Sequence, residues 1–190
     1  MTTLAPTLYT RTFPRIAGWL RDLTLIVLGA LFVAVLAQVS IPLPFTPVPL
    51  TGQTFAVLLV AATLGSKRGA ASMSLYLVMG VIGLPFFAGG AHGLSIVTGA
   101  TGGYLIGFIV AAYVIGLLAE RGLERNIRTS IIPFLVGTVI VYACGVTWLA
   151  IVIGSFSKAI ALGLVPFLIG DVIKLVAAAL ALPAAWKLAK

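Results

Sequence analysis

Long stretches without a charged side chain constrain the fold of this chain more than any other feature of its sequence. Residues 23–66 and 129–157 contain no Asp, Glu, Lys or Arg, and residues 69–119 contain no charge apart from the possible charge of His92. The whole chain of 190 residues has 12 Lys and Arg and 4 Asp and Glu, whereas an average soluble domain is about 25% charged. So few charges exclude an ordinary water-soluble enzyme, a disordered chain and a nucleic-acid-binding domain. The sequence therefore predicts a protein of the lipid bilayer.

Prolines and glycines divide the apolar stretches into six predicted membrane-spanning helices. A helix needs about 20 apolar residues to cross the hydrocarbon layer. Four prolines within residues 42–49 interrupt one stretch, because proline lacks the N–H that a helix needs, and the glycine-rich residues 83–103 interrupt another. The predicted spans lie near 23–41, 51–65, 70–85, 102–119, 131–154 and 164–186. The predicted fold class is all-α: a polytopic membrane protein in which residues 1–190 form one six-helix transmembrane domain.

The distribution of Lys and Arg predicts the orientation in the membrane. If the N-terminus lies inside, ten basic residues share its side, Lys158 alone lies on the other side, and Lys174 falls within the sixth span. The ten are Arg11, Arg15, Arg21, Lys67, Arg68, Arg121, Arg125, Arg128, Lys187 and Lys190. Because flanking basic residues stay in the cytoplasm, both termini, including an N-terminal segment 1–22, are predicted to be cytoplasmic. The net charge of +8 then reflects topology and contact with an anionic lipid bilayer, not nucleic-acid binding.

Several kinds of chemistry lack the residues that they need. Cys144 is the single cysteine and His92 the single histidine, which excludes a disulfide framework within the chain and a cysteine-rich metal site. No G-x-x-x-x-G-K-[ST] motif for nucleotide phosphates is present. Uphill transport would therefore need ATP hydrolysis by another chain. The sequence predicts no metal, no cofactor and no catalytic residue, so the protein is not expected to be an enzyme.

Three unusual features fall on the outer side of the predicted topology. They are the proline-rich segment 41–50, the glycine-rich segment 86–101, and the charged residues Asp171 and Lys174 in the outer half of the sixth span. Irregular backbone at membrane depth is tolerated where it lines a cavity or is buried in protein, so we expect an outward-facing pocket. Asp171 and Lys174 share one helix face. Charged groups within a span typically face a cavity, although a purely structural ion pair would have the same spacing.

Other polar or small residues allow more than one interpretation. Gln53 begins the second span, where its amide would suit a polar ligand or would simply begin a helix at the interface. Tyr104 follows two glycines and fits an interfacial aromatic belt. Ala30 and Ala34 lie four residues apart on the first span. Such small residues either allow close packing within the chain or let another membrane protein dock.

Four sequence stretches carry a resemblance to a known family. They lie at residues 46–54 (TPVPLTGQT), 80–90 (GVIGLPFFAGG), 101–108 (TGGYLIGF) and 165–174 (VPFLIGDVIK). Together they resemble the BioY family, the biotin-binding S-components of energy-coupling-factor (ECF) transporters. Two positions depart from the family pattern. Ala100 replaces the proline of a Gly-Pro-Thr-Gly-Gly-Tyr motif, and His92 stands where small or polar residues are more usual.

The resemblance implies a function, a site and partners. It implies capture of biotin from the outer side and its uptake across the cytoplasmic membrane. Asp171 and Lys174 would line the biotin site, and further residues would complete it, namely Gln53, Tyr104, Gly89, Gly90 and Gly93. Ala30 and Ala34 match the motif that contacts the transmembrane coupling subunit, which works with a pair of ATPases in separate chains. The alternatives are an S-component for a different vitamin and a biotin transporter that works alone.

Overall fold

The computed structural model describes residues 3–188, and helices make up nearly all of their regular structure. In chain order the helices are α1 Leu4–Thr12, α2 Gly18–Ala37, α3 Gln53–Leu64, α4 Ser66–Val81, α5 Leu94–Thr98, α6 Gly102–Glu120, α7 Ile127–Ile153, α8 Phe156–Gly163 and α9 Leu168–Leu188. Short 3-10 turns lie at Ala88–Gly90, Leu123–Arg125 and Val165–Phe167. Two strands of two residues, β1 Ser40–Ile41 and β2 Leu50–Thr51, pair antiparallel. The prediction of an all-helical fold is confirmed.

Four helical segments among the described residues are long and apolar enough to cross a bilayer. They are α2, α6, α7 and the segment Phe156–Lys187, which contains α8 and most of α9. α3 is apolar but has only 12 residues. Large apolar side chains remain exposed on several helices, for example Val35, Val139 and Ile169. Exposed apolar surface on this scale is typical of contact with lipid, so the chain is a helical membrane protein with several apolar helices.

The N-terminal part of the structure differs in two ways from the sequence-based prediction. α1 was not predicted, and α2 begins at Gly18 rather than near residue 23. α2 includes Arg21 and Asp22, whose charges are paired: Arg21 Nε lies 2.9 Å from Asp22 Oδ1, and Arg68 Nε of α4 lies 2.9 Å from the same oxygen. Since pairing lowers the cost of a charge near the membrane, the first apolar helix extends further back than its apolar residues indicate.

The proline-rich residues 42–49, which we call the strap, connect α2 to α3. The pairing of β1 with β2 closes the base of the strap. At its far end, Thr46 Oγ1 donates a hydrogen bond to the carbonyl oxygen of Leu162 in α8, at 2.7 Å. The strap is therefore attached to a part of the chain more than a hundred residues away in sequence, and its position relative to α8 is defined.

α6 lies at the centre of the helices and packs against α3, α4 and α7. Glycines allow the closest of these approaches. A Cβ atom at Gly116 would lie 2.2 Å from the amide nitrogen of Ser66, and one at Gly103 would lie 2.2 Å from the Cβ of Trp148. Both distances are too short for any side chain. The first turn of α6, which carries Tyr104, is thus held tightly against α7.

Two hydrogen bonds hold the C-terminal part of α9. Pro183 lies inside α9 and has no N–H, so the carbonyl oxygen of Ala179 lacks its usual helical partner. Ser130 Oγ of α7 donates to that oxygen at 2.8 Å. Nearer the end of α9, Trp186 Nε1 donates to Glu124 Oε1 at 3.1 Å. α9 is therefore fastened to α7 and to the turn between α6 and α7.

Candidate functional site

A cavity of about 300 Å³ lies where α3 and α6 begin, between the strap and the loop that precedes α6. The middle of α7 and the first half of α9 complete its wall. Its polar lining residues are Thr51, Gln53, Thr54, Ser95, Thr101, Tyr104, Tyr142, Asp171 and Lys174. Its apolar lining includes Val48, Leu50, Phe87, Leu105, Phe108, Val141 and Phe167. A largely apolar cavity of this volume with a few polar groups has the usual character of a small-molecule site.

Asp171 and Lys174 form the centre of a hydrogen-bond network in the cavity wall. Lys174 Nζ lies 2.8 Å from Asp171 Oδ1 and donates to Thr54 Oγ1 at 2.9 Å. Thr54 Oγ1 in turn donates to Asp171 Oδ1 at 3.2 Å. The hydroxyl of Tyr142 donates to the other carboxylate oxygen, Asp171 Oδ2. Four side chains from α3, α7 and α9 therefore meet at one charged pair.

Local structure explains why these residues meet. The 3-10 turn Val165–Phe167 leads directly into α9, so Asp171 lies in the first turn of that helix, where the helix dipole favours a negative charge. Thr54 lies in the first turn of α3, just after the strap. Both helices begin at the same end of the molecule and contact one another. Tyr142 reaches the pair from the middle of α7.

The network leaves one donor and one acceptor position for a ligand. An ammonium group has three N–H donors, and Lys174 uses two of them on Thr54 and Asp171. A carboxylate has about four acceptor positions. Within residues 3–188, Asp171 accepts two hydrogen bonds on Oδ1 and one on Oδ2. The positive charge of Lys174 and the negative charge of Asp171 cancel. The wall therefore presents an N–H donor beside an oxygen acceptor, and it favours a neutral ligand group over a charged one.

The structure places Gln53 and Tyr104 in the cavity wall, but much of their hydrogen-bonding capacity is used within the protein. Gln53 is 6% exposed; its Nε2 donates to the hydroxyl of Tyr76 and its Oε1 accepts from Thr51 Oγ1 at 3.0 Å. The Tyr104 hydroxyl donates to the carbonyl oxygen of Gly163 at 2.7 Å. Tyr104 therefore lies in the protein interior rather than in an interfacial belt, and its hydroxyl holds the end of α8.

Gly89, Gly90 and Gly93 do not line the cavity. They have positive φ angles of 64°, 80° and 92°, a conformation that glycine adopts without strain. They shape a loop whose Ala88 and Ala91 side chains face the cavity in their place. The loop therefore borders the cavity through its alanines, and a role of its three glycines in ligand binding stays a prediction.

The other end of the same loop is fixed by Trp148. Its Nε1 donates to the carbonyl oxygen of Gly99 at 2.9 Å. Gly99 and the neighbouring Ala100, which departs from the family pattern, both line the cavity. His92, the second departure, is exposed and lies outside the cavity lining. The loop is therefore joined to α7 next to the start of α6.

Ala30 and Ala34 are not on the surface of the described chain. They are 1% and 5% exposed and belong to the hydrophobic core. α2 packs there against α3 and α4, and small side chains allow that close approach. Packing within the chain covers both side chains, and their contact with a coupling subunit stays a prediction. The exposed side of α2 instead carries Leu28, Leu31, Phe32 and Val35.

Sequence reasoning missed two members of the network, Thr54 and Tyr142. Thr54 lies directly after Gln53 but gave no separate signal. Tyr142 stands near the middle of α7, among mainly apolar residues, away from the membrane interface where Tyr is commonest. A tyrosine at that depth is a usable signal for a polar partner on a neighbouring helix.

The fold and the cavity together define a class of protein: a helical membrane protein with a small-molecule site built between its helices. The model of the BioY family matches residues 5–190. The chain therefore belongs to the BioY family. This confirms the resemblance seen in the sequence, and because BioY is a family of transporters it also confirms the prediction that the chain is not an enzyme.

Individual relatives agree with this assignment. The chain is 41% identical over 172 residues to the biotin transporter BioY of Rhizobium etli, and the alignment covers 84% of this chain and 90% of the relative. It is 45% identical over 144 residues to the biotin transporter BioY of Thermotoga maritima, covering 76% and 83% of the two chains. A crystal structure of the S-component for biotin from an ECF-type ABC transporter matches with a TM-score of 0.76 at 25% identity. That match covers 90% of this chain and 95% of the other.

Proposed function

We propose that this chain captures biotin from the outer side of the cell membrane and serves as the S-component of an ECF-type transporter. One observation carries the choice of ligand: the Asp171–Lys174 pair presents one donor and one acceptor at the wall of an apolar cavity. The names of the relatives and the family membership support the same ligand.

The ureido group of biotin matches this pair. A cyclic urea has an N–H and a C=O side by side on one edge, and both are neutral. We place the ureido N–H on the free acceptor position of Asp171 and the ureido oxygen on the free N–H of Lys174. The pair has no net charge, which favours the neutral ureido group over the valerate carboxylate at this position. The fused rings would then lie against apolar side chains such as Leu105 and Phe108.

Six helices would cross the membrane in the proposed topology: α2, α3, α4, α6, α7 and α9. The distribution of basic residues supports cytoplasmic termini. The cavity then opens outward, because Lys158, the basic residue assigned to the outer side, lies in α8, and α8 is bonded to the strap and to Tyr104 in the cavity wall. α3 is short for a span, and its largely buried surface lies against protein rather than lipid.

Energy for uptake would come from other chains. Since the sequence has no nucleotide phosphate-binding motif, we propose that a transmembrane coupling subunit and a pair of ATPases supply it. A biotin transporter that works alone is the alternative. Uptake of labelled biotin by cells that contain this chain but lack any coupling subunit distinguishes the two: uptake only with the coupling subunit supports the first.

Equilibrium binding tests the proposed ligand. The purified chain in lipid nanodiscs is titrated with biotin, thiamine and riboflavin in the absence of ATP. We expect tight, saturable binding of biotin at one site per chain and no competition by the other two vitamins. A well-folded sample that fails to bind biotin, or that prefers another vitamin, would contradict the proposal.

A further inference from the structure

A second cavity lies at the opposite end of the molecule from the biotin site. Its volume is about 230 Å³, enough for several water-sized groups. It lies between α1, the start of α2, the start of α4 and the end of α6, and its lining residues are Thr3, Pro6, Thr7, Thr10, Arg21, Arg68 and Glu120. Tyr104 at the first cavity and Glu120 at the second are 16 positions apart on α6, or about 24 Å along the helix.

Two arginines supply hydrogen-bond donors to this cavity. Arg21 and Arg68 share one carboxylate, Asp22, at 2.9 Å each. A guanidinium has five N–H donors, and Arg21 uses only Nε on Asp22 within the described residues. The side chains of Arg21 and Arg68 are 23% and 28% exposed. One positive charge therefore remains uncompensated by Asp22, with donors in the geometry that suits a phosphate.

Glu120 supplies a hydrogen-bond acceptor and a negative charge on the other side of the cavity. Its Oε1 accepts hydrogen bonds from the backbone N–H and the hydroxyl of Ser66, both at 2.8 Å. Its Oε2 accepts none from residues 3–188 in the structure. The Thr10 hydroxyl donates its proton locally, to the carbonyl oxygens of Pro6 and Thr7 at 3.0 Å, so toward the cavity it offers lone pairs only. This part of the wall consists of acceptors.

The charges indicate which kind of ligand fits. The two arginines are balanced by Asp22 and Glu120, so the wall is neutral overall but divided into a donor side and an acceptor side. A plain anion would meet the Glu120 carboxylate and a plain cation would meet the guanidiniums. A zwitterion with a phosphate and a primary ammonium satisfies both sides. The cavity lies at the end of the helices where most basic residues gather, as expected of a membrane surface.

We propose that this second cavity binds a phosphatidylethanolamine headgroup, with the phosphate on Arg21 and Arg68 and the ammonium on Glu120. The ammonium must be primary, because a choline headgroup has no N–H to donate to Glu120. The acyl chains would lie along the exposed apolar side of α2. Free phosphoethanolamine has the same headgroup chemistry, so the experiment separates the two sources.

Native mass spectrometry of the purified full chain tests this proposal. The protein in detergent is incubated with equal amounts of phosphatidylethanolamine, phosphatidylcholine and phosphatidylglycerol, and the retained lipid adducts are counted. We expect a preference of about tenfold for phosphatidylethanolamine over both others, the effect of one charge-assisted hydrogen bond. A tenfold molar excess of free phosphoethanolamine should leave the adduct in place.

Variants identify the responsible residues. Glu120→Gln keeps the Oε1 acceptor for Ser66, so the fold is retained, but it should abolish the preference for phosphatidylethanolamine over phosphatidylglycerol. Arg68→Gln should weaken the adducts of all three lipids, since each contains a phosphate. Lys67 does not line the cavity, so Lys67→Gln should leave the lipid adducts as they are in the unaltered chain. Biotin affinity should stay unchanged in all three. Equal binding of phosphatidylcholine, an unaltered preference in Glu120→Gln, or displacement by free phosphoethanolamine would each overturn the proposal.

Discussion

Replacing Asp171 by Asn tests the proposed biotin site most directly. Asn has the same shape as Asp, but one of its terminal atoms donates hydrogen bonds instead of accepting them. Asp171 accepts from Lys174 and Thr54 on one oxygen and from Tyr142 on the other. In one orientation the NH₂ group of Asn faces the Lys174 ammonium, which can only donate. In the other it replaces the oxygen that accepts one hydrogen bond and has a free acceptor position for the ligand. Asp171→Asn also removes the negative charge next to the Lys174 ammonium.

The expected loss of affinity follows from the hydrogen bond to the ligand. A hydrogen bond to a charged group contributes about 1.5–3 kcal/mol, which corresponds to an increase of about 10- to 150-fold in the Kd for biotin. Isothermal titration calorimetry of the chain in nanodiscs measures this Kd. Asp22→Asn is the matched control, because Asp22 is the other aspartate of the sequence and lies at the far end of the molecule. Its Kd for biotin should equal that of the unaltered chain.

A double variant separates binding from stability. Asp171→Asn leaves Lys174 without its charge partner, so the melting temperature should fall. Asp171→Asn combined with Lys174→Met removes both charges and should recover most of the melting temperature, yet biotin binding should remain weak. A single variant with an unchanged Kd, or a double variant that regains full affinity, would refute the assignment of Asp171 to the ligand.

Three further measurements follow from the structure. Biotin methyl ester should bind within about threefold of biotin, since we place the ureido group and not the carboxylate on Lys174; a loss of more than about a hundredfold would place the carboxylate there. Trp148→Phe removes the N–H that bonds to the carbonyl oxygen of Gly99. Biotin should then dissociate about fivefold faster, the effect of roughly 1 kcal/mol. An unchanged dissociation rate in stopped-flow experiments would show that this bond does not fix the loop at the cavity. Burial raises the pKa of the Glu124 carboxyl, so the folded state binds its proton more tightly than the unfolded state, and stability falls as the pH rises from the ordinary carboxyl pKa through the raised one. In the unaltered chain the melting temperature should therefore fall over this pH range, and in Glu124→Gln it should fall less. An identical dependence of melting temperature on pH in both proteins would contradict the role of Glu124.

The sequence predicted those features that depend on one segment at a time. Uncharged stretches gave the apolar helices, the prolines of the strap gave the break between α2 and α3, and the spacing of Asp171 and Lys174 placed both on one helix face. That face does line the cavity. Each of these inferences needs only local geometry, which the order of residues determines.

Features that depend on contacts between segments could not be predicted in this way. Thr54 and Tyr142 join Asp171 only because α3, α7 and α9 are neighbours. Ala30 and Ala34 have the same spacing whether they face a partner or the core, and only the packing of α2 decides between the two. The start of α2 was missed because Asp22 pairs both with Arg21 and with Arg68, which lies on another helix.

The proline in α9 has a mechanical consequence. Pro183 removes one backbone hydrogen bond from the helix, and Ser130 of α7 supplies the replacement from outside. The bending stiffness of α9 is therefore lowest at this point, and the axis of bending is anchored to α7. Asp171 and Trp186 lie on opposite sides of this point. A bend there would change the angle between the segment at the cavity and the segment bonded to Glu124, so the two ends of α9 need not move as one rigid rod.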